Sequence, residues 1–427
     1  MSTSTKLQAA PVQPGERIQV IDMVRGFALF GILLVNMEAF NRSLFQQIMD
    51  LNEPTGLDQV ADWLIGFFGE GKFYSTFAFL FGLGLAIQHS RAQARGVRFT
   101  PLYLRRMAVL LVIGVIHAYL FWVGDILILY ALLGALTLLF FRNRQPRTLL
   151  IWVVVFLLVP LLLNGALLGL VELSRMSPEG DRLMTEMFAE QRRGYHEAAA
   201  QADQVYTHGS FAEVTAQRVQ EMNMVFGMWP FMAFNVWAMF LLGLYVGQRR
   251  LCDDLPGHLP LIRRVWGWGL GVGVIGNLMY VIAGEGSVRS EPSVPLMIAL
   301  IGQTVGAPAL SLFYMASLVR LTRDPAWQRR LAPLAAMGRM AITNYLLQTI
   351  ICTTLFYGYG FGLYGQVGRA AGILLTMVIY GLQIPLSVGW LRRFRFGPVE
   401  WLWRTLTYGR LQPMRAMRPS AGSAQGG

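Results

Sequence analysis

Charged residues and cysteines are both scarce in this chain of 427 residues. Asp, Glu, Lys and Arg make up 14% of it and the apolar class makes up 54%, whereas charged residues form about a quarter of a soluble domain. The two cysteines, Cys252 and Cys352, are too few for a disulfide scaffold. A chain this apolar cannot be solvated on every side, so the composition predicts a protein that passes through a membrane several times.

Lysine is nearly absent as well, because Lys6 and Lys72 are the only lysines among the 36 basic residues. The formal net charge of +12 therefore comes from arginines, which lie between apolar segments and not in one patch. This placement indicates membrane topology and argues against nucleic acid as a partner. The first apolar run lacks the features of a cleaved signal peptide, so we expect it to remain as a membrane anchor.

The long apolar runs predict an all-α, polytopic membrane helix bundle of about ten transmembrane helices. The expected spans are 23–40, 62–88, 103–120, 126–141, 148–172, 229–248, 265–284, 296–318, 338–357 and 370–391. Glycines around Glu70 and Lys72 interrupt the second span, which predicts either a broken helix or one that begins at the interface.

The spans divide the chain into five segments. A cytoplasmic N-terminal segment (1–22) precedes a first transmembrane half at 23–172, and an extracytoplasmic helical insertion follows at 173–228. The second transmembrane half, 229–410, ends in a short surface helix that begins near Pro398, and the tail 411–427 is expected to be disordered. With ten spans every arginine-rich loop falls on one side, which places both termini in the cytoplasm.

Polar side chains inside predicted spans indicate function by default, since a charged group there costs about 3 kcal/mol or more. In the first span Asp22 and Arg25 share a helix face near the cytoplasmic end, and Asn36 lies roughly 21 Å farther along. An interfacial ion pair accounts equally well for Asp22 and Arg25, because charges near the end of a span reach the interface.

The second group contains His117, Asp125 and Tyr130. His117 lies towards the outer end of the third span, and the short connection brings Asp125 back at the start of the fourth. An Asp beside an imidazole holds one tautomer and leaves the other nitrogen as a general base. We expect the pair to be hydrogen-bonded in a polar cavity open towards the outer half of the bilayer. A bond that merely closes the helix pair is the alternative.

Two further groups have structural alternatives of similar weight. Glu70 and Lys72 at the break in the second span would form an internal ion pair. Arg339 begins the ninth span, in which Asn344 and Gln348 share one inward face and would form interhelical hydrogen bonds.

Five motifs in this order resemble the YeiB family of bacterial inner-membrane proteins, whose closing domain has no assigned function. They are 22–36 (DMVRGFALFGILLVN), 72–82 (KFYSTFAFLFG), 114–117 (GVIH) with 124–127 (GDIL), 338–348 (GRMAITNYLLQ) and 397–404 (GPVEWLWR). The resemblance implies a multi-pass protein of the bacterial inner membrane in contact with membrane lipids. The resemblance is compatible with a homo-oligomer but does not predict one.

The front half is similar, more remotely, to membrane acyltransferases such as heparan-glucosaminide acetyltransferase. That similarity implies coenzyme A or an acyl-CoA as cytoplasmic donor and a glycan or lipid-linked acceptor outside, with no metal. His117 would be the general base, Asp125 would orient it, and Asn36 or Tyr130 would stabilise the oxyanion. The residues expected to bind the donor are Asp22, Arg25, Arg105, Arg106 and Arg339.

The alternative hypothesis is a small-solute transporter or permease. In that case the same polar residues, together with Glu70, Lys72, Asn344 and Gln348, would line an alternating-access cavity.

The topology is open to a direct test with reporter fusions after residues 95, 200 and 420. We expect cytoplasmic signals at 95 and 420 and an extracytoplasmic signal at 200, because only this arrangement keeps the arginine-rich loops on one side. A cytoplasmic signal at residue 200 would contradict the ten-span topology.

Overall fold

The computed structural model describes residues 19–49, 54–285 and 291–415. Most of the N-terminal segment and of the tail expected to be disordered therefore lies outside the described residues. The described chain is built from fifteen helices and contains no strand, apart from an isolated bridge between Phe394 and Arg415. The all-α fold class is confirmed.

The helices are numbered in chain order. They are α1 (Gln19–Asn41), α2 (Leu44–Met49), α3 (Leu57–Phe68), α4 (Lys72–Ala94), α5 (Phe99–Leu120), α6 (Leu127–Phe141), α7 (Pro146–Arg175), α8 (Pro178–His208), α9 (Phe211–Gln248), α10 (Leu259–Gly284), α11 (Val294–Leu321), α12 (Pro325–Arg339), α13 (Ala341–Phe356), α14 (Arg369–Arg393) and α15 (Pro398–Tyr408).

Seven of the described helices are long and apolar enough to cross a membrane: α1, α5, α7, α9, α10, α11 and α14. The shorter helices α6 and α13 are apolar too, and α3 and α4 together cover the second predicted span. The chain is thus a multi-pass integral membrane protein. The number of crossings and the side on which each terminus lies stay predictions.

Two predicted spans are divided in the structure. The second predicted span is a broken helix, because α3 ends at Phe68 and α4 begins at Lys72. The ninth was expected to run from residue 338, but Met340 (φ −111°, ψ 33°) separates α12 from α13. Each of the other eight predicted spans lies inside a single helix, except that the span expected to begin at residue 126 starts one residue before α6.

The break between α3 and α4 is held by bonds to the exposed carbonyls at the end of α3. The ammonium of Lys72 donates to the carbonyl oxygen of Gly66 at 2.6 Å, and the hydroxyl of Tyr314 donates to that of Phe68 at 3.0 Å. Gly71 has φ 85°, a conformation that glycine adopts without strain. Lys72 is therefore a helix cap, and Glu70 accepts a hydrogen bond from Tyr280.

Helix α1 lies at the centre of the bundle and packs against α4, α12, α13 and α14. Its closest neighbour is α12, where Gly26 and Gly338 face each other so closely that a side chain on either would collide with the opposite backbone. This approach brings the starts of α1 and α13 together, which positions the residues described below.

The insertion expected at 173–228 is helical and consists of α8 and the first part of α9. Ser177 caps α8, and Ser210 with Glu213 forms a capping box at the start of α9. The short helix expected near Pro398 is α15, with Pro398 in its first turn.

Replacing Lys72 tests whether the break depends on its ammonium group. The side chain is fully buried, so Lys72→Met keeps its length but leaves the Gly66 carbonyl without its donor. We expect a loss of about 1–3 kcal/mol, seen as a lower Tm in a thermal melt. The control is Arg182→Met, at a side chain 73% exposed, which should leave Tm nearly unchanged. An unaltered Tm for Lys72→Met would contradict this role.

Candidate functional site

His117 and Asp125 form a direct hydrogen bond in the structure. His117 lies in the last turn of α5, and Asp125 lies two residues before the start of α6, after the turn at residues 121–124. The distance from His117 Nδ1 to Asp125 Oδ1 is 2.7 Å, while Asp125 Oδ2 accepts from the backbone N–H of Ile128 at 2.8 Å. Because both carboxylate oxygens act as acceptors, Asp125 holds the proton of the imidazole on Nδ1.

The second imidazole nitrogen contacts a residue from the other half of the chain. His117 Nε2 lies 2.9 Å from the hydroxyl oxygen of Thr349 on α13. The three side chains form a hydrogen-bonded chain, Asp125–His117–Thr349, which we call the relay.

The relay is enclosed by protein. His117 is 2% exposed and Thr349 is 1% exposed. The ring of Tyr345 lies 5.0 Å from the imidazole, and Trp122 covers another edge. The expectation that the pair lines an open cavity is therefore wrong, because these aromatic rings and Thr349 fill the space around the imidazole.

Asn36 and Tyr130 do not contact the relay through any hydrogen bond of the described residues. Tyr130 donates to the carbonyl oxygen of Tyr74 at 2.7 Å, and Asn36 is half-buried on α1. The structure does not bring either side chain together with His117, so the expected oxyanion role for them has no geometric support.

A large cavity lies at the predicted cytoplasmic ends of the helices. Its volume is about 340 Å³. Apolar side chains from α1, α4 and α5 line its deep part, including Leu29, Ile32, Phe77, Phe81 and Leu110. Tyr130 and Tyr345 also line it, and since Tyr345 packs against His117, the cavity ends beside the relay.

Arginines surround the mouth of this cavity. They come from α1, α4, α5, α12 and α15 or lie just beyond these helices: Arg25, Arg91, Arg95, Arg106, Arg339 and Arg404. Asp22 and Glu400 are the only carboxylates among the lining residues that belong to the described part of the chain. Positive charge therefore exceeds negative charge at the mouth.

Four of the five residues expected to bind an acyl donor line the cavity: Asp22, Arg25, Arg106 and Arg339. Arg25 pairs with Asp22 at 2.9 Å, and the guanidinium of Arg106 lies 3.9 Å from the centre of the Trp403 ring. The fifth, Arg105, is exposed beside Gly409 and does not line the cavity. Neighbouring residues on a helix point about 100° apart, which is consistent with Arg106 facing the cavity and Arg105 facing outward.

Helix α15 is anchored to the start of α13 by Glu400. One carboxylate oxygen accepts from the backbone N–H groups of Ile342 and Thr343 at 2.7 and 3.1 Å, and the other accepts from the Thr343 hydroxyl at 2.6 Å. Burial raises the pKa of Glu400 above its ordinary value, although these hydrogen bonds act in the opposite direction. Glu400 thus satisfies backbone donors that the first turn of a helix leaves open.

The remaining predicted polar residues lie in contacts between helices. Asn344 donates to Ser387 at 3.0 Å, and Gln348 donates to Gln383 at 2.9 Å, which joins α13 to α14. Together with Glu70 and Lys72 at the α3–α4 break, they do not line the large cavity. Their observed geometry matches interhelical bonding.

Sequence reasoning missed Thr349 and Tyr345, although both lie within or next to the fourth motif. Their spacing of four residues places them on one face of α13. That spacing is the one signal available, since the contact with His117 joins residues 232 positions apart.

Comparison with known proteins places the chain among bacterial membrane proteins without an assigned activity. Residues 246–410 match the family described as "Protein of unknown function (DUF418)". The protein YxaH of Bacillus subtilis (strain 168), described as uncharacterized, is 36% identical over 95% of this chain and 97% of its own length. No solved structure matches the chain significantly.

Two further relatives extend the similarity over nearly the whole chain. The "39.9 kDa protein in amylase 3'region" of Bacillus acidopullulyticus is 29% identical over 95% of this chain and 97% of its own. YeiB of Escherichia coli (strain K12) is 29% identical over 92% of this chain and 96% of its own. The chain therefore belongs to the YeiB family of multi-pass membrane proteins, as its five motifs predict.

Proposed function

We propose that this protein is a membrane acyltransferase that takes an acyl group from a cytoplasmic acyl-CoA. The observation that carries the proposal is the cavity with an arginine-rich mouth, an apolar interior and an end beside the relay. The mouth corresponds to the phosphates of such a donor, and the interior corresponds to the pantetheine arm, the thioester and the acyl chain, which follow the phosphates in that order.

The mouth suits the nucleotide end of coenzyme A, which carries several phosphate charges. Guanidinium groups bind phosphate oxygens in pairs and keep their charge at every physiological pH. Arg106 lines the cavity, and its guanidinium packs on the ring of Trp403. Because this contact already orders the side chain, binding a phosphate would cost less conformational entropy. The lining arginines of α4 would add to the attraction of the anion from solution.

The interior suits the acyl chain. Leu29, Phe81 and Leu110 line it from three different helices, and burial of apolar surface contributes about 0.8 kcal/mol for each methylene group of a ligand. The thioester joins the pantetheine arm to the acyl chain, so a donor that enters past the arginines would hold its thioester beside Tyr345, which separates the cavity from His117.

The relay would supply the proton transfers. With Asp125 holding the Nδ1 proton, His117 Nε2 is the basic atom, and Asp125 stabilises the imidazolium that forms when Nε2 takes a proton. The acceptor would be a glycan or lipid-linked hydroxyl or amine that arrives from the outer side of the bacterial inner membrane.

A small-solute transporter is the competing function. The broken α3–α4 pair is the feature that a transporter would use, because discontinuous helices form many transport sites. Here Lys72 and Tyr314 already bond carbonyls at that break. These bonds indicate that the break is a structural feature of the fold and not a transport site.

Binding of the donor gives the first test, with octanoyl-CoA titrated into purified protein and followed by calorimetry. We expect saturable binding, weakened about tenfold or more by Arg106→Gln, because a charge-assisted hydrogen bond contributes roughly 1.5–3 kcal/mol. Arg105→Gln is the matched control on the same helix, and it should leave Kd within about twofold. Thermal melts of both variants check that each is folded.

Two outcomes would contradict the proposed donor site. One is the absence of wild-type binding at millimolar octanoyl-CoA. The other is an equal effect of the Arg105 and Arg106 substitutions. Equal effects would mean that the arginines attract the anion through the net surface charge and that Arg106 makes no specific contact with a phosphate.

The relay is tested by turnover in inner-membrane vesicles, which supply the acceptor, and turnover is measured as coenzyme A thiol released from octanoyl-CoA. We expect His117→Gln to abolish thiol release, because the amide cannot accept the proton, and Asp125→Asn to lose most of it by favouring the wrong tautomer. A structural role would instead lower the Tm of both variants and leave the thiol release of the folded fraction intact.

A further inference from the structure

The relay places a hydroxyl where a hydrolase or transferase of the Ser-His-Asp type holds its nucleophile. Asp125 contacts Nδ1 at 2.7 Å, and Thr349 contacts Nε2 at 2.9 Å. An acid, an imidazole and a hydroxyl in this order, with the acid and the hydroxyl on opposite ring nitrogens, define that arrangement whatever the fold.

The direction of the bonds favours transfer of the Thr349 proton to His117. Because Nδ1 carries the proton that Asp125 accepts, Nε2 presents its lone pair to the Thr349 hydroxyl. The alternative acceptor for that hydroxyl is the carbonyl oxygen of Tyr345, which is farther away at 3.3 Å. Thr349 therefore has its base in place.

The first hydroxyl that His117 can activate is consequently the hydroxyl of Thr349. An external acceptor would have to displace Thr349 from Nε2 before it could use the same base. A substrate in the cavity, in contrast, reaches Thr349 once the Tyr345 ring moves aside, because Tyr345 lies one helical turn away on the same face, about 6 Å along the axis.

We propose that Thr349 is the nucleophile of this protein and carries the acyl group as an ester between donor and acceptor. This inference rests on the proposed acyltransferase function. In the first step the Thr349 oxygen forms a bond to the thioester carbonyl carbon, and the carbon–sulfur bond breaks. The Thr349 proton passes to His117 Nε2 and then to the departing thiolate, which leaves as coenzyme A thiol.

In the second step the acceptor hydroxyl or amine attacks the Thr349 ester. Its proton passes to His117 Nε2 and from there to the Thr349 oxygen as the ester bond breaks, which restores the hydroxyl. No oxidant or further reactant is needed. Two half-reactions allow the donor to leave before an acceptor arrives from the other side, which suits a site reached by a cavity from one end.

The test is detection of the ester on purified full-length protein mixed with octanoyl-CoA in the absence of acceptor. Samples are quenched in acid and measured by intact-protein and peptide mass spectrometry, in parallel with thiol release. Thr349→Val keeps the side-chain shape without the hydroxyl, and Thr349→Ser keeps the hydroxyl. The matched control is Thr353→Val, at a buried threonine one turn farther along α13 whose hydroxyl donates to the carbonyl of Ile350.

We expect wild-type protein and Thr353→Val to gain one octanoyl group on the peptide that contains residue 349. Thr349→Ser should gain the same group on its serine. Thr349→Val should show no adduct and at least a hundredfold slower thiol release, with a Tm close to that of wild type.

Thiol release by Thr349→Val within about threefold of wild type would overturn the inference, because the thioester would then be cleaved without the Thr349 hydroxyl. Loss of release in Thr349→Val with no wild-type adduct would overturn the ester as well and make Thr349 a positioning residue for His117. If wild-type protein neither binds octanoyl-CoA nor releases thiol, the proposed function itself fails, and the inference fails with it.

Discussion

The need to pair every polar group inside the hydrocarbon governs this structure. Water is absent there, so an unpaired carbonyl or charge costs several kcal/mol, and chain breaks survive only where side chains bond the open groups. Lys72 meets this need at the end of α3, and Asp125 meets it for His117 and the start of α6. Glu400 on the surface helix α15 does the same for the open donors at the start of α13. These bonds allow charged residues to remain at depth, and they fix the helices that carry the site.

Helix α13 connects the cavity to the relay. Its first turn is bonded by Glu400 of α15, its second turn presents Tyr345 to the cavity, and its third turn presents Thr349 to His117. Asn344 and Gln348 tie the adjacent face to α14. A helix held on two sides keeps the hydroxyl of Thr349 at a fixed distance from the imidazole, and such preorganisation is what a base and a nucleophile require.

The sequence is sufficient to predict features formed by residues that lie close together along the chain. The short turn after α5 predicts the bond between His117 and Asp125, and the glycines around Glu70 predict the broken second span. Contacts between distant segments are not encoded in this way. Thr349 resembles any threonine that bonds its own helix, and Arg105 resembles Arg106 until the packing of α15 shows which of them faces the cavity. The closure of the space around His117 depends on Tyr345 and Trp122, which aromatic content alone does not reveal.

An experimental structure of the protein with a non-hydrolysable thioether analogue of octanoyl-CoA would show whether the cavity delivers an acyl group to the relay. We expect density for the phosphates between Arg25 and Arg106, the thioether sulfur beside Tyr345 on the side that leads to Thr349, and the acyl chain against the apolar lining near Leu110. An analogue bound elsewhere, or a cavity filled by lipid at saturating analogue concentration, would contradict the claim that this cavity delivers an acyl group to the relay.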